Sequence, residues 1–282
     1  MKIAIASGKG GTGKTFVSTN LFWSLQEIGK NVILIDCDAE EPNVGEFISG
    51  QIIGSKTVSQ HIPIIDSNQC KFCGNCFDYC NYNAIIYIPE IDFIKVIDEL
   101  CHDCGACLFA CQDNAITETE KKLGLISNFR VNEHSCFIEA RTDIGIASSV
   151  PVIKEAIKAA ENEPLVILDS PPGTSCPFIA TVSKADYIIL VTEPTPFGLN
   201  DLKLSVEAIQ QMEKPFGLII NRAGLGEDTV YDWLKQNNIP LLMEIPFDTK
   251  IARIYSEGKL LVKEDPIYQE KFNALYKAIC NE

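Results

Sequence analysis

No stretch of this 282-residue chain approaches the roughly 18 consecutive apolar residues that a membrane-crossing helix requires, so no membrane insertion is expected. Positive charge is also scarce. The 24 Lys and Arg stand against 38 Asp and Glu, a formal net charge of -14, and they gather on no basic segment. An acidic surface repels phosphate backbones, so a nucleic-acid partner is not expected either. The opening "MKIAIASGKGG" has too short an apolar stretch for a secretory leader and runs straight into glycines. The expected setting is therefore cytoplasmic, where thiols stay reduced and hold metal more readily than they form disulfides.

What is present is an ordinary globular composition, 46% hydrophobic and 22% charged. Apolar strand patterns alternate with amphipathic helix patterns over most of the length. "KIAIAS" (2–7) leads through a Gly-rich loop into a helix over 14–29, and "VILIDCD" (32–38) is a second buried strand. After residue 150 the rhythm resumes, with strands at 165–170, 187–194, 216–222 and 241–247 between helices, the last helix covering 265–282. Such alternation predicts an α/β fold, a mostly parallel, doubly wound sheet covered on both faces. Residues 125–140 read as a short hairpin returning to that fold.

Residues 8–15, "GKGGTGKT", fit G-x-x-x-x-G-K-[ST] between a strand and a helix, the context of a P-loop. Gly8, Gly10, Gly11 and Gly13 let backbone amides, with those of Lys9 and Thr12, close around phosphates at a helix N-terminus. Lys14 is then expected to reach the β- and γ-phosphates of a nucleotide, and the Thr15 hydroxyl to complete a Mg2+ site. Asp36 and Asp38 end a buried strand beside that loop. They are candidates for Mg2+ binding or for capping the turn that follows. No N-K-x-D motif follows a strand, so guanine selection is not expected.

The second lysine of "KGGTGKT" resembles the deviant Walker A of the MinD/ParA/Mrp family of P-loop ATPases. "DCDAEEPN" (36–43) is similar to that family's first switch, and "DSPPG" (169–173) to its second. "NR" (221–222) and "IPFD" (245–248) are similar to its adenine-binding segments. The resemblance implies an ATP-hydrolysing homodimer in which Lys9 reaches the nucleotide of the other subunit and Asp38 orients the attacking water. It further implies Mg2+ held by Asp36 and Asp169, and adenine held by Asn221 and Arg222 under a loop containing Pro246 and Phe247.

The rhythm stops between 60 and 117. There "CKFCGNCFDYC" (70–80) returns 31 positions on (70 to 101) as "CHDCGACLFAC" (101–111), an internal duplication followed in both copies by Ala-Ile. A zinc site usually takes two CxxC pairs across a longer loop, whereas three cysteines two apart wrap a corner of a cubane, with the fourth serving the other cluster. On that rule Cys70, Cys73, Cys76 and Cys111 hold one [4Fe-4S] cluster, and Cys101, Cys104, Cys107 and Cys80 the other. Asn81 and Gln112 stand where such combs usually carry proline, which bears on potential more than on ligation. His102, beside a ligand, is either a tuning group or a surface histidine. Cys37, Cys136, Cys176 and Cys280 read as small hydrophobes. Cys176 has a spacing from Asp169 similar to that of a cysteine in the nitrogenase iron protein, which raises a bridging site with Cys136.

The expected organisation is thus an ATPase domain over 1–59 and 118–282, interrupted by an α+β two-cluster ferredoxin-like domain over 60–117. The insert leaves after the first switch and rejoins before the second, the segments that respond to a γ-phosphate. The function expected from this layout is a dimerising ATPase whose nucleotide state gates electron transfer between two clusters and an unknown redox partner protein. The alternatives are an iron-sulfur cluster carrier of the Mrp type and a positioning ATPase of the MinD/ParA type.

Overall fold

The computed structural model describes residues 1–226 and 228–280. In chain order its first half contains β1 (Lys2–Ala6), α1 (Lys14–Glu27), β2 (Val32–Asp36), β3 (Gln51–Ile65), α2 (Asn75–Asp78), β4 (Ile85–Ile88), β5 (Phe93–Val96), α3 (Ala106–Ala110), β6 (Ile116–Arg130) and β7 (Ser135–Thr142). The second half continues with α4 (Val150–Ala159), β8 (Val166–Asp169), α5 (Cys176–Val182), β9 (Tyr187–Thr192), α6 (Pro196–Gln210), β10 (Phe216–Ala223), α7 (Thr229–Gln236), β11 (Leu241–Pro246), α8 (Thr249–Ser256), α9 (Leu261–Glu264) and α10 (Pro266–Cys280).

The chain divides into two compact units, one comprising Met1–Lys56, Leu125–Arg141 and Ser149–Glu282, the other Thr57–Gly124 and Thr142–Ser148. The main sheet has the order β11-β10-β9-β1-β8-β2-β7-β6-β3, with β11 to β2 in the first unit and β7, β6 and β3 running on into the second. Every pairing from β11 to β7 is parallel. Strands β1 and β8 are buried almost throughout, as strands covered on both faces must be. Ile3, Ile5, Leu34, Ile167, Ile189 and Ile219 form the core with Leu21, Phe22 and Leu25 of α1. Helix α10 adds Phe272, Leu275 and Ile279 to the same core, so its apolar face is already covered. The α/β P-loop fold with a mostly parallel sheet is thus the observed one.

The expected hairpin over 125–140 is β6 and β7, closed by Val131 N–H donating to the Ser135 carbonyl at 2.9 Å. Strand β6 starts earlier than expected, at Ile116, because the polar run "TETEKK" carries no apolar face for a sequence reading to find. Helix α8 was also not expected. Asp248 starts it, its carboxylate accepting from the Lys250 amide at 2.7 Å.

The second unit, considered by itself, is built on the duplication. Left-handed backbone recurs at Phe72 and Asp103, at Gly74 and Gly105, and at Asn83 and Asn114. Each pair is separated by the repeat length, so the two combs share a conformation as well as a spacing. Gly74 and Gly105 are the N-caps of α2 and α3. A side chain at Gly74 would put its Cβ 2.7 Å from the Tyr87 ring, so glycine is required there for space as well as for φ. Cys76, Ile85 and Ile116 form a small core, with Cys80, Cys107 and Cys111 packed against it.

Candidate functional site

In the first unit, residues 8–13 link β1 to α1 at the C-terminal edge of the sheet, where parallel α/β sheets bind ligands. Gly11 and Gly13 have φ of 77° and 98°. Gly13 admits no alternative: a Cβ there would lie 2.4 Å from Asn221 Nδ2. A Cβ at Gly8 would meet the Asp201 carbonyl at 2.3 Å. Gly10 and Gly11, by contrast, have nothing within 4 Å, which leaves their backbone open to an incoming phosphate.

Lys14 is buried with three carboxylates as neighbours. Desolvation lowers its pKa, and Asp169, Asp38 and Asp36 pull it back up. Asp36 and Asp169 are register partners on β2 and β8, each 1% exposed. Burial raises both pKa values, Asp169 to about 6. Two buried carboxylates side by side want a cation beyond one lysine. Asp169 Oδ1 is moreover buried with no hydrogen-bond partner, and the hydroxyls of Thr15 and Ser18 act on the same carboxylate. This donor set fits Mg2+, a hard cation that prefers oxygen.

Asp36 is differently employed. Its Oδ2 accepts from the amides of Asn43 at 2.8 Å and Val44 at 2.9 Å, and its Oδ1 from the Asp38 amide at 3.1 Å. It therefore organises the 36–44 loop, the turn-capping alternative, while facing Asp169. Asp38, half-buried, has its pKa raised by desolvation, and Lys14 opposes the shift.

Asn221 donates from Nδ2 to the Thr12 carbonyl at 2.8 Å, and its Oδ1 accepts from the Arg222 amide at 2.9 Å. The residue expected at the adenine edge thus ties β10 to the phosphate loop. The β10/β11 register shifts between Asn221 and Ala223, leaving Arg222 in left-handed backbone with φ 56°. Its guanidinium turns to Glu193, Nη1 donating to Oε1 at 2.7 Å. Lys9 Nζ lies 3.5 Å from Oε2 of the same Glu193. Glu193 was not among the expected residues. Pro246 ends β11 and Phe247 follows it, Phe247 being exposed and its amide donating to the Ala223 carbonyl at 2.9 Å.

In the second unit the eight comb cysteines separate into two sets of four. Cys70, Cys73, Cys76 and Cys111 line one solvent-open cavity of about 340 Å³. Cys80, Cys101, Cys104 and Cys107 line another, of about 390 Å³. Amides point at sulfur in both: Phe72 N–H to Cys70 Sγ at 3.4 Å, and Ala84 N–H to Cys80 Sγ at 3.3 Å. Lys71 pairs with Asp113 at the rim of the first cavity. His102 stacks on Tyr82 at the second, ring centroids 3.9 Å apart. Among the described residues, no three His, Cys, Asp or Glu side chains converge as a single metal ion requires. A zinc ion needs its sulfurs about 2.3 Å from one point, so the thiols as they stand surround space rather than a point. Burial pushes Cys76 up to about 11, so its thiol keeps its proton at neutral pH unless a metal displaces it.

Cys136 and Cys176 do not meet along the sheet. Cys136 is the register partner of Ile33, three residues below the Asp36–Asp169 level, whereas Cys176 begins α5 beyond the end of β8.

Residues 3–262 match the family described as the CobQ/CobB/MinD/ParA nucleotide binding domain. The chain belongs to that family. An uncharacterized protein of Methanocaldococcus jannaschii is 29% identical over 267 residues, covering 93% of this chain and 92% of the relative. An iron-sulfur cluster carrier protein of Pyrococcus horikoshii is 22% identical over 303 residues, covering 100% of this chain and 86% of the carrier. Among solved structures, the septum site-determining protein MinD complexed with Mg-ADP, from Pyrococcus horikoshii, aligns with TM-score 0.60 at 22% identity, over 99% of this chain and 95% of that one. The chain is accordingly a P-loop ATPase of the MinD/ParA type. Among the described residues, no helix of this ATPase is long and apolar enough to cross a membrane.

Proposed function

We propose that this ATPase is an ATP-dependent homodimerising switch carrying two [4Fe-4S] clusters, its nucleotide state governing electron transfer with a partner protein. The observation that carries the cluster assignment is the interleaving of the combs. Each cavity is lined by three cysteines of one comb and the fourth of the other, with backbone amides directed at sulfur. Three cysteines two apart with the fourth taken from the other comb is the ligand pattern of a two-cluster ferredoxin.

On this reading Lys14 and the loop amides bind the phosphates, while Asp169, Thr15 and Asp36 hold Mg2+, which neutralises charge developing on the phosphates. Asp38 orients the water, since phosphoryl transfer needs positioning more than covalent help. Lys9 completes the site of the second subunit. Cys70, Cys73, Cys76 and Cys111 would hold one cluster and Cys80, Cys101, Cys104 and Cys107 the other, each of which would supply one-electron chemistry, with Lys71 and His102 beside them. The cysteine-bearing segment joins the ATPase between the loop at 36–44 and the segment at 169–173, so the chain that senses the γ-phosphate is continuous with it.

The comparisons favour a second reading more than this one: a named relative is an iron-sulfur cluster carrier, whereas neither relative nor structural neighbour above is named for electron transfer. On that reading a cluster is cargo. The interleaved four-thiol sets speak for resident clusters, because releasing one requires both combs to open. The test is anaerobic reconstitution followed by two assays. Electron paramagnetic resonance of reduced protein should differ between ADP and a non-hydrolysable ATP analogue, and incubation with an apo-ferredoxin should transfer little iron. Identical spectra with efficient transfer would establish the carrier instead.

A further inference from the structure

Among the described residues, Glu193 is the one buried carboxylate at the nucleotide edge without a role so far. It follows β9, whose neighbours are β1, which leads into the phosphate loop, and β10, which carries Arg222. It is 6% exposed. Its backbone is clamped: a Cβ at Gly198 would lie 2.3 Å from the Glu193 carbonyl, and one at Gly226 2.4 Å from the Pro194 carbonyl. The Thr195 amide donates to the Glu193 carbonyl at 2.8 Å. A carboxylate buried on such a backbone is stabilised by cations brought to it. It receives two, Arg222 on Oε1 at 2.7 Å and Lys9 on Oε2 at 3.5 Å.

We infer that Glu193 is a positioning residue that parks Lys9 against its own subunit until nucleotide and a second copy of the chain compete for it. This rests on the proposed role of Lys9 in the dimer. The two contacts differ in the way such a device requires. Arg222 makes the short hydrogen bond and stays, so Glu193 is never an orphaned buried charge. Lys9 makes the longer ion pair, and its side chain is a third exposed, so it can leave at small cost. Its backbone does not move with it, because Ser7 Oγ donates to the Lys9 carbonyl at 2.6 Å. Parking therefore subtracts from dimer affinity the free energy of one ion pair per subunit, two per dimer.

The experiment is dimerisation of the full chain measured by analytical ultracentrifugation across ATP concentrations, for wild type, Glu193→Gln, Lys9→Ala and the double variant. Glutamine keeps an acceptor for Arg222 and removes the charge that holds Lys9. Glu193→Gln should dimerise with a dissociation constant lower by about threefold or more, at unchanged ATP affinity of the monomer. The double variant should stay monomeric like Lys9→Ala. Glu193→Asp, which keeps the charge but shortens its reach, should shift in the same direction and serves if glutamine impairs folding. Unchanged or weaker dimerisation of both Glu193 variants, with Lys9→Ala monomeric, overturns the parking role alone. A Lys9→Ala protein that dimerises like wild type overturns the dimer reading beneath it.

Discussion

Asp36 and Asp169 lie opposite one another on adjacent parallel strands, both buried, with Asp169 Oδ1 lacking any protein partner. Burial raises both pKa values, helped by the Asp169 charge at Asp36 and by the Asp38 charge at Asp169, which reaches about 6 against an ordinary 3.8. The folded chain therefore binds more protons than the unfolded one across that window, and stability falls as pH rises through it. Mg2+ removes the penalty where the carboxylates are ionised. The gain in melting temperature from Mg-ADP should be larger at pH 7.5 than at pH 5. Equal gains would mean that this pair does not meet the metal.

Asn221 offers a second test. Its bond to the Thr12 carbonyl makes it a tether of the phosphate loop, so Asn221→Ala should weaken ATP and GTP binding alike, by about fivefold, the worth of one hydrogen bond. Calorimetric titration with both nucleotides decides. A loss confined to ATP would establish the adenine-edge role instead.

Gly13→Ala should do more harm than its size suggests. It forces an L-residue to φ 98° and drives a methyl into Asn221. Chemical denaturation should register a loss of about 1–3 kcal/mol, with nucleotide binding abolished. Gly10→Ala, with open space around it, should leave stability within about 1 kcal/mol of wild type.

The cysteine sets make a crosswise prediction. Cys111→Ala, though it lies in the second comb, should remove the cluster of the first, and Cys80→Ala the reverse. Iron content after anaerobic preparation should fall from about eight to about four per chain in each variant. Loss of the cluster belonging to the mutated comb's own triplet would refute the interleaved assignment.

Much of the ATPase was legible because parallel strands buried on both faces must be apolar along their centres, and β1, β2, β8, β9 and β10 are, with polar residues only towards their ends. The phosphate loop was legible because only glycine tolerates the backbone it needs at Gly11 and Gly13. Strand β6 was not, since its first half presents charged residues without an apolar face. Glu193 escaped although the signal was the one that marked Asp36 and Asp169, a carboxylate at or just past the end of an all-apolar strand. What distinguishes it is only visible in space, where two cations from distant segments converge on it.

The sequence alone determined local matters: which segments bury themselves, where the backbone turns left-handed, and how many thiols each comb offers. Tertiary structure decided pairings across distance. It gave Asn221 to the phosphate loop, engaged Asp36 with the amides of its own loop, and held Lys9 and Arg222 on one carboxylate. Spacing along a chain fixes conformation over a few residues, whereas a contact between residues 9, 193 and 222 depends on strand order, which no local pattern encodes.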